Sequence, residues 1–481
     1  MLTHSKGIGL SVFGAVLQEI FYFKPQTIFV SIVFLSVLAY ILGEAMASFI
    51  PRWGPVGRFL NPGPFHLKEH ASIALMASAA TQTALATEAL AAQDLYYGGY
   101  PSKAAGIFIV LSSQLIGFGI AGLLRDVLVY PTHMVWPVNI PITSLLESFH
   151  GDRQVAKQRL KFFYIVFGVM IVWELFPQYL FPVLEGVSIF CLAKQDSLIF
   201  TSLFGGASGN EGMGLFAISF DWLFIASTGS PLWWPITTLA NSYVGYMAGI
   251  ALMMGIYYSN AFQSLDFPFM AQSLFNGSSN GTNYIVYNQT LVLNNAFEID
   301  PAAVAQEGTP FLTGTYLAYL ITTNMAFTAT LVHLLLWNYN DLKAGWSWAS
   351  PSNLRKFLSI SNWKFWVNQE TPEERYTRKQ NDPTLDPHYK LMMRNLYKEV
   401  PTWWWFAVLV ACWITGIVCL YVMRSTLPWW GFILSTLFTM VFILFYGAQN
   451  GITGFGFNLQ PICQTLAGYL FPGRPLASRC S

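Results

Sequence analysis

The residues of this sequence best suited to chemistry gather first at Asn61-Pro62-Gly63-Pro64-Phe65-His66-Leu67-Lys68-Glu69-His70. Pro62 and Pro64 lack a backbone donor and Gly63 accepts conformations that a side chain forbids, so no continuous helix runs through them. A helix restarting behind the break presents unpaired N–H groups and the positive end of its dipole, both of which favour anions. Lys68, Glu69 and His70 follow at that start. The arrangement suits contact with a substrate carboxylate, and Asn61, Pro62, Gly63, Lys68, Glu69 and His70 form the first candidate substrate site.

A second candidate lies at residues 204–214, Phe-Gly-Gly-Ala-Ser-Gly-Asn-Glu-Gly-Met-Gly. Each glycine costs a helix about 1 kcal/mol against alanine, and irregular backbone at membrane depth survives only where protein buries it or it lines a cavity. Gly209, Asn210 and Glu211 are therefore pathway candidates. A surface loop joining two half-membrane segments is the plainer alternative. A phosphate-binding loop does not fit, because no Gly-Lys-Ser/Thr ending is present.

Among the carboxylates that stand inside otherwise apolar segments are Glu88 and Asp221. An ionisable group at membrane depth costs a few kcal/mol on insertion scales and is functional or paired more often than idle. A carboxyl in low dielectric holds a proton more readily, which makes Glu88 the better candidate for proton coupling and Asp221 the second. For Glu88 the bland alternative is a carboxylate snorkelling to the interface.

The zinc-protease signature HExxH is missing from the sequence, and His70 with Glu69 is as easily a gate or a helix cap as a base. Asn-Pro-Gly resembles the Asn-Pro-Ala loops of water channels, but those come in pairs and one copy is present. Cys191, Cys412, Cys419, Cys463 and Cys480 form no CxxC pair, so neither a metal site nor a cofactor is expected. A net charge of +1 without a basic, aromatic-laced run gives no sign of a nucleic-acid partner. A transporter accounts for these features better than a channel or an intramembrane enzyme.

The elements that position these residues follow from composition. Of 481 residues 54% are apolar, 16% aromatic and only 10% charged, against about 25% charged in soluble chains. Mean hydropathy is +0.44. Lipid must be the solvent, and the spacing predicts an all-α polytopic membrane protein of about ten transmembrane helices. They fall at residues 7–23, 27–50, 69–92, 103–128, 162–187, 198–226, 236–258, 311–337, 403–423 and 427–446. The span at 162–187 should kink at Pro177 and Pro182, where it also carries Glu174 and Glu185, and the glycines break the span at 198–226. Residues 447–475 read as a re-entrant segment or the start of a continuation.

Topology follows from two independent markers. Three sequons, at Asn276, Asn280 and Asn288, accept glycans only on the lumenal or extracellular side. Residues 341–400 hold 10 of the 25 Lys and Arg, a cytoplasmic mark. The chain therefore reads as one membrane domain over residues 1–481, with an extracytoplasmic loop at 259–310 and a cytoplasmic loop at 339–400. Counting back through alternating spans puts the amino terminus and residues 61–70 in the cytoplasm.

The Asn61–His70 stretch resembles the signature of the oligopeptide transporter family, in its peptide-transporter branch rather than its metal-chelate branch. Further matches come in order: Met134-Val135-Trp136-Pro137, Phe220-Asp221-Trp222, Ser230-Pro231-Leu232, Lys398-Glu399-Val400-Pro401 before Trp403-Trp404, and Gly468-Tyr469-Leu470 running into Pro472-Gly473-Arg474-Pro475. The resemblance implies a multi-pass protein of the plasma membrane that imports small oligopeptides, glutathione-like thiols or related conjugates, driven by protons. Its partners would be the peptide, protons and the lipid bilayer. A metal-chelate transporter of the same family or a channel-like protein is the alternative. Position 66 is His where many relatives carry a polar amide, and the family's Lys-Ile-Pro-Pro-Arg-like motif is absent. In the family that motif lies beyond the position of Ser481, so the sequence looks like part of a longer transporter, and residues 1–481 alone are expected not to transport.

Overall fold

A chain in lipid must satisfy its backbone hydrogen bonds internally, and apolar runs of membrane length do so as helices. The structure is a computed structural model that describes residues 2–24, 30–55, 57, 61, 63–81, 85–95, 102–151, 153–194, 196–206, 212–227, 234–295, 297–337, 339, 373, 377, 379–383, 385–394, 400–456 and 458–475. In chain order its α-helices are α1 (Leu2–Tyr22), α2 (Ile32–Phe49), α3 (Leu67–Ala80), α4 (Leu85–Leu95), α5 (Lys103–Leu128), α6 (Ile140–His150) and α7 (Arg153–Leu175). They continue as α8 (Ile189–Ala193), α9 (Leu198–Phe204), α10 (Trp222–Ser227), α11 (Ile236–Tyr258), α12 (Pro301–Glu307) and α13 (Gly314–Trp337). The last are α14 (Pro387–Arg394), α15 (Thr402–Val422), α16 (Trp429–Thr453) and α17 (Gln460–Leu470). Among the described residues, β-type pairing is confined to isolated bridges.

Helix ends follow local chemistry. Ser31 Oγ accepts from Val33 N at 3.2 Å and starts α2. Prolines 235, 401 and 428 stand just before α11, α15 and α16. Gly454, with φ of 75°, ends α16 in the left-handed conformation that a side chain disfavours.

Seven described helical stretches are long and apolar enough to cross a membrane: α2, α5, residues 157–180, α11, α13, α15 and α16. Each coincides with an expected span. α1 occupies the first expected span but is more polar, carrying Lys6, Gln18 and Glu19. The span at 198–226 is broken as its glycines require, into α9 and α10.

Residues 69–92 differ from expectation. Instead of one crossing helix, α3 ends at Ala80 and α4 starts at Leu85. At 1.5 Å per residue α3 is roughly 21 Å long, short of the roughly 30 Å hydrocarbon core. The Thr81 hydroxyl turns back to the Ser78 carbonyl at 3.1 Å, the local side-chain bond through which threonine competes with helix continuation. An Ala- and Ser-rich composition carries no sign of that stop.

The kink at Pro177 is present. α7 passes into a π-turn over Phe176–Leu180, closed by Phe181 N to Phe176 O at 2.7 Å, and a 3₁₀ turn at Pro182–Glu185 follows. α7 begins at Arg153, earlier than expected, because the helix-forming residues Lys157, Arg159 and Lys161 extend it beyond the apolar stretch.

The chain forms two compact units, one of residues 1–85, 137–187 and 218–233, the other of 86–136, 188–217 and 234–481. In the first, α1, α2 and α3 enclose Leu10, Leu35, Ala39, Phe65, Ile73 and Ala77. Phe65 lies so close to Gly43 that an added Cβ would stand 2.7 Å from its ring. Glycine at 43 is thus what lets the signature segment dock on α2.

In the second unit α5 packs along α15, with Ile120, Leu124 and Leu409 in one cluster and Ile109, Cys419, Leu420 and Phe432 in another. α11 has no buried residue and presents its apolar side chains outward, as a lipid-facing helix does. The segment at 259–310 carries its own small core of Phe267, Phe275, Tyr287 and Val292. Most of the expected cytoplasmic loop lies outside the described residues. Within the part described, the Lys379 ammonium sits 4.9 Å from the ring centres of both Tyr130 and Tyr389 and 3.8 Å from Asp126.

Candidate transport site

The signature segment divides its residues between structure and surface. The buried Asn61 donates from Nδ2 to the carbonyls of Ala47 at 2.9 Å and Ile50 at 2.7 Å, acceptors that the end of α2 leaves without helical partners. Gly63 is half-buried, and Pro62 lies outside the described residues.

Behind them Lys68, Glu69 and His70 stand at consecutive positions of α3, and the 100° turn per residue sends them apart. Lys68 is exposed. Glu69 forms an ion pair with Lys6 of α1 at 3.2 Å, the two side chains 15% and 13% exposed. The Lys6 ammonium also lies 5.4 Å from the Phe65 ring centre.

His70 has no exposed surface. Its Nε2 lies 2.8 Å from the Ser36 carbonyl and its Nδ1 2.9 Å from His150 Nε2. A carbonyl only accepts, so His70 carries its proton on Nε2, and its Nδ1 accepts from His150 Nε2–H. The three residues therefore do not converge on one pocket. Lys6 and His150 escape a reading of the sequence, because nothing in it ties positions so far apart.

The second locus is Asp221, also without exposed surface. Gln178 Nε2 donates to its Oδ2 at 2.6 Å, and Trp222 N donates to Glu174 Oε1 at 3.0 Å. The Glu174 carboxyl lies near enough to that of Asp221 for the two to interact electrostatically. Glu174 and Gln178 are four residues apart, so the helix face leading into the π-turn presents both to Asp221.

Glu88 on α4 is half-buried, with Gln460 Nε2 of α17 at 3.5 Å from its Oε2. Gly209, Asn210 and Glu211 lie outside the described residues. At their edge, a side chain on the buried Gly212 would meet the Thr201 carbonyl at 2.2 Å, so that glycine is required by close backbone approach. In each sequon the asparagine Oδ1 accepts from the hydroxyl two residues on, at 3.0 Å for Asn276, 2.9 Å for Asn280 and 2.7 Å for Asn288.

The family model described as OPT oligopeptide transporter protein matches residues 5–480. The chain belongs to the oligopeptide transporter family. It is 28% identical over 477 residues to oligopeptide transporter 2 of Arabidopsis thaliana, covering 96% of this chain and 59% of that protein. Oligopeptide transporter 5 of the same plant is 30% identical over 484 residues, with the same coverage, and oligopeptide transporter 8 is 30% identical over 494 residues, 98% of this chain and 61% of that protein. The chain thus spans about three fifths of the length of the curated relatives it matches. No solved structure matches it.

As a member of that family the chain is an all-α, multi-pass membrane protein, and several of its remaining motifs serve the scaffold. Trp136 bonds through its backbone N to Gly451 O at 2.8 Å and through Nε1 to Leu128 O at 2.9 Å, clamping the chain between α5 and α16. Pro401 opens α15. Arg474, beyond α17, pairs with Glu298 at 3.1 Å.

Proposed function

We propose that this protein moves small oligopeptides across a membrane in exchange for the energy of a proton gradient. The observation that carries the proposal is the buried Asp221, without exposed surface, held by Gln178 at 2.6 Å and interacting electrostatically with Glu174, beside a π-turn that leaves helical bonding irregular. Such a pair can take up one proton and release it when the contact opens. π-turns recur at functional sites.

On the substrate side, the matched relatives are named oligopeptide transporters. Lys68, exposed at the first turn of α3, combines a cation with a helix N-terminus and suits a peptide carboxylate. Glu69 and His70 act behind it as its support. Glu88 is the second coupling candidate, and Gly209, Asn210 and Glu211 complete the proposed pathway. The proposed setting is the plasma membrane, with glycans at Asn276, Asn280 and Asn288 outside and residues 339–400 inside.

The test is uptake of a labelled tripeptide by membrane vesicles that carry the natural gene product. Accumulation that appears with an acid-outside gradient and collapses with a protonophore supports the proposal. Equal uptake with and without the gradient removes proton coupling, and failure to compete with unlabelled peptide removes the substrate class.

A further inference from the structure

The signature helix is held by a contact that its own motif does not contain. His150 ends α6, and its Nε2 lies 2.9 Å from Nδ1 of the fully buried His70 on α3, whose Nε2 lies 2.8 Å from the Ser36 carbonyl of α2. The carbonyl fixes the whole chain of donors. His70 must donate from Nε2 and accept at Nδ1, so His150 must donate from Nε2. An aromatic surround completes the site: Tyr40 stacks on Phe149 at 4.4 Å and its ring lies 5.8 Å from His70 and 5.6 Å from His150, while Phe65 lies 5.4 and 5.7 Å from the same two rings.

We infer that His150 is a positioning residue for the signature helix, a neutral donor that fixes the His70 ring and thereby anchors the start of α3 to α2 and α6. The pair has limited room for protons. With both imidazoles charged, each of the facing nitrogens would carry a hydrogen and the bond would be lost, so the pair holds at most one proton. Even the first is disfavoured: burial, then the charges of His70 and His66, pull His150 down to about 4.

The charged and titratable groups near the pair include Lys6 on α1, Tyr40 and Glu44 on α2, His66 just before α3, and Lys68 and Glu69 on α3. α6 adds Glu147, and α7 adds Lys157, Arg159, Lys161 and Tyr164. Lys6 is paired with Glu69, so that cation is already neutralised.

The sign of the pH effect follows from linkage. Unfolded, His150 takes up a proton below about 6.5, and folded only below about 4. Its contribution is complete above about pH 6.5 and is lost as pH falls from there to about 4.

The natural protein, purified in detergent, is unfolded thermally at pH 7.5 and at steps down to pH 4.5, as wild type, His150→Gln and His150→Leu. Glutamine offers an N–H near the Nε2 position and does not titrate. His150→Gln should keep the neutral-pH Tm and lose less of it than wild type on acidification. His150→Leu should lower the neutral-pH Tm by about 2–4 °C, because His70 Nδ1 then loses its donor in a buried site. A full wild-type acid slope in His150→Gln, or a wild-type neutral Tm in His150→Leu, would overturn the inference.

Discussion

Gln178 donates to Asp221 across 2.6 Å, and Asp221 has no exposed surface. The contact joins the end of a membrane-length helix to the residue just before α10, and only the side-chain amide's N–H makes it. Gln178→Leu removes the donor and leaves the buried acid short of a partner, a loss of roughly 1–3 kcal/mol. Thermal unfolding in detergent should show the drop, whereas Gln178→Asn should show part of it. Wild-type stability in Gln178→Leu would mean that the amide contributes nothing to holding Asp221.

Lys6 and Glu69 make a pair of the same logic elsewhere in the first unit. At 13% and 15% exposure the charges are largely out of water, so removing one strands the other. Lys6→Ala should destabilise by about 1–3 kcal/mol, the cost of leaving a largely buried partner unsatisfied, while Lys6→Met with Glu69→Met should restore much of the loss. A double-mutant cycle measures the coupling, and additive effects would show the pair to be incidental.

The sequons give a prediction about sidedness. Asn280 and Asn288 are exposed and Asn276 is half-buried, each with its amide oxygen already bonded to the acceptor hydroxyl. Expression in a glycosylating host should give a protein whose gel mobility shifts with an endoglycosidase. Asn→Gln at each site should remove one step. A chain without glycan at all three would reverse the proposed topology.

Length and apolarity made the spans legible in the sequence, since a helix crossing lipid leaves an uninterrupted run such as residues 103–128 or 403–423. The breaks at Pro62–Pro64, at Pro177 and among the glycines before Gly214 were equally plain, because each removes a donor or a conformational restraint. Residues 69–92 read as one span because Thr81, which turns its hydroxyl onto Ser78, is one threonine among many small residues.

The site was less legible. Lys68, Glu69 and His70 look like a cluster as a row of letters, but one turn of helix sends them to solvent, to Lys6 and to His150. Asp221 could be picked out as a charge in an apolar stretch. Its partners Glu174 and Gln178 could not be assigned to it, because only the folded π-turn brings them there.

The central claim is that the Glu174–Asp221 pair carries the coupled proton, and Asp221→Asn tests it most directly. Asparagine keeps an oxygen for Gln178 but cannot exchange a proton. Peptide uptake and internal pH are followed together in vesicles carrying equal amounts of the natural gene product, wild type or variant. The account predicts that wild type acidifies the interior as peptide enters, and that Asp221→Asn loses that acidification and at least about tenfold of gradient-driven accumulation, on the scale of a buried hydrogen-bonded charge. Acidification and accumulation at wild-type levels in Asp221→Asn would contradict it.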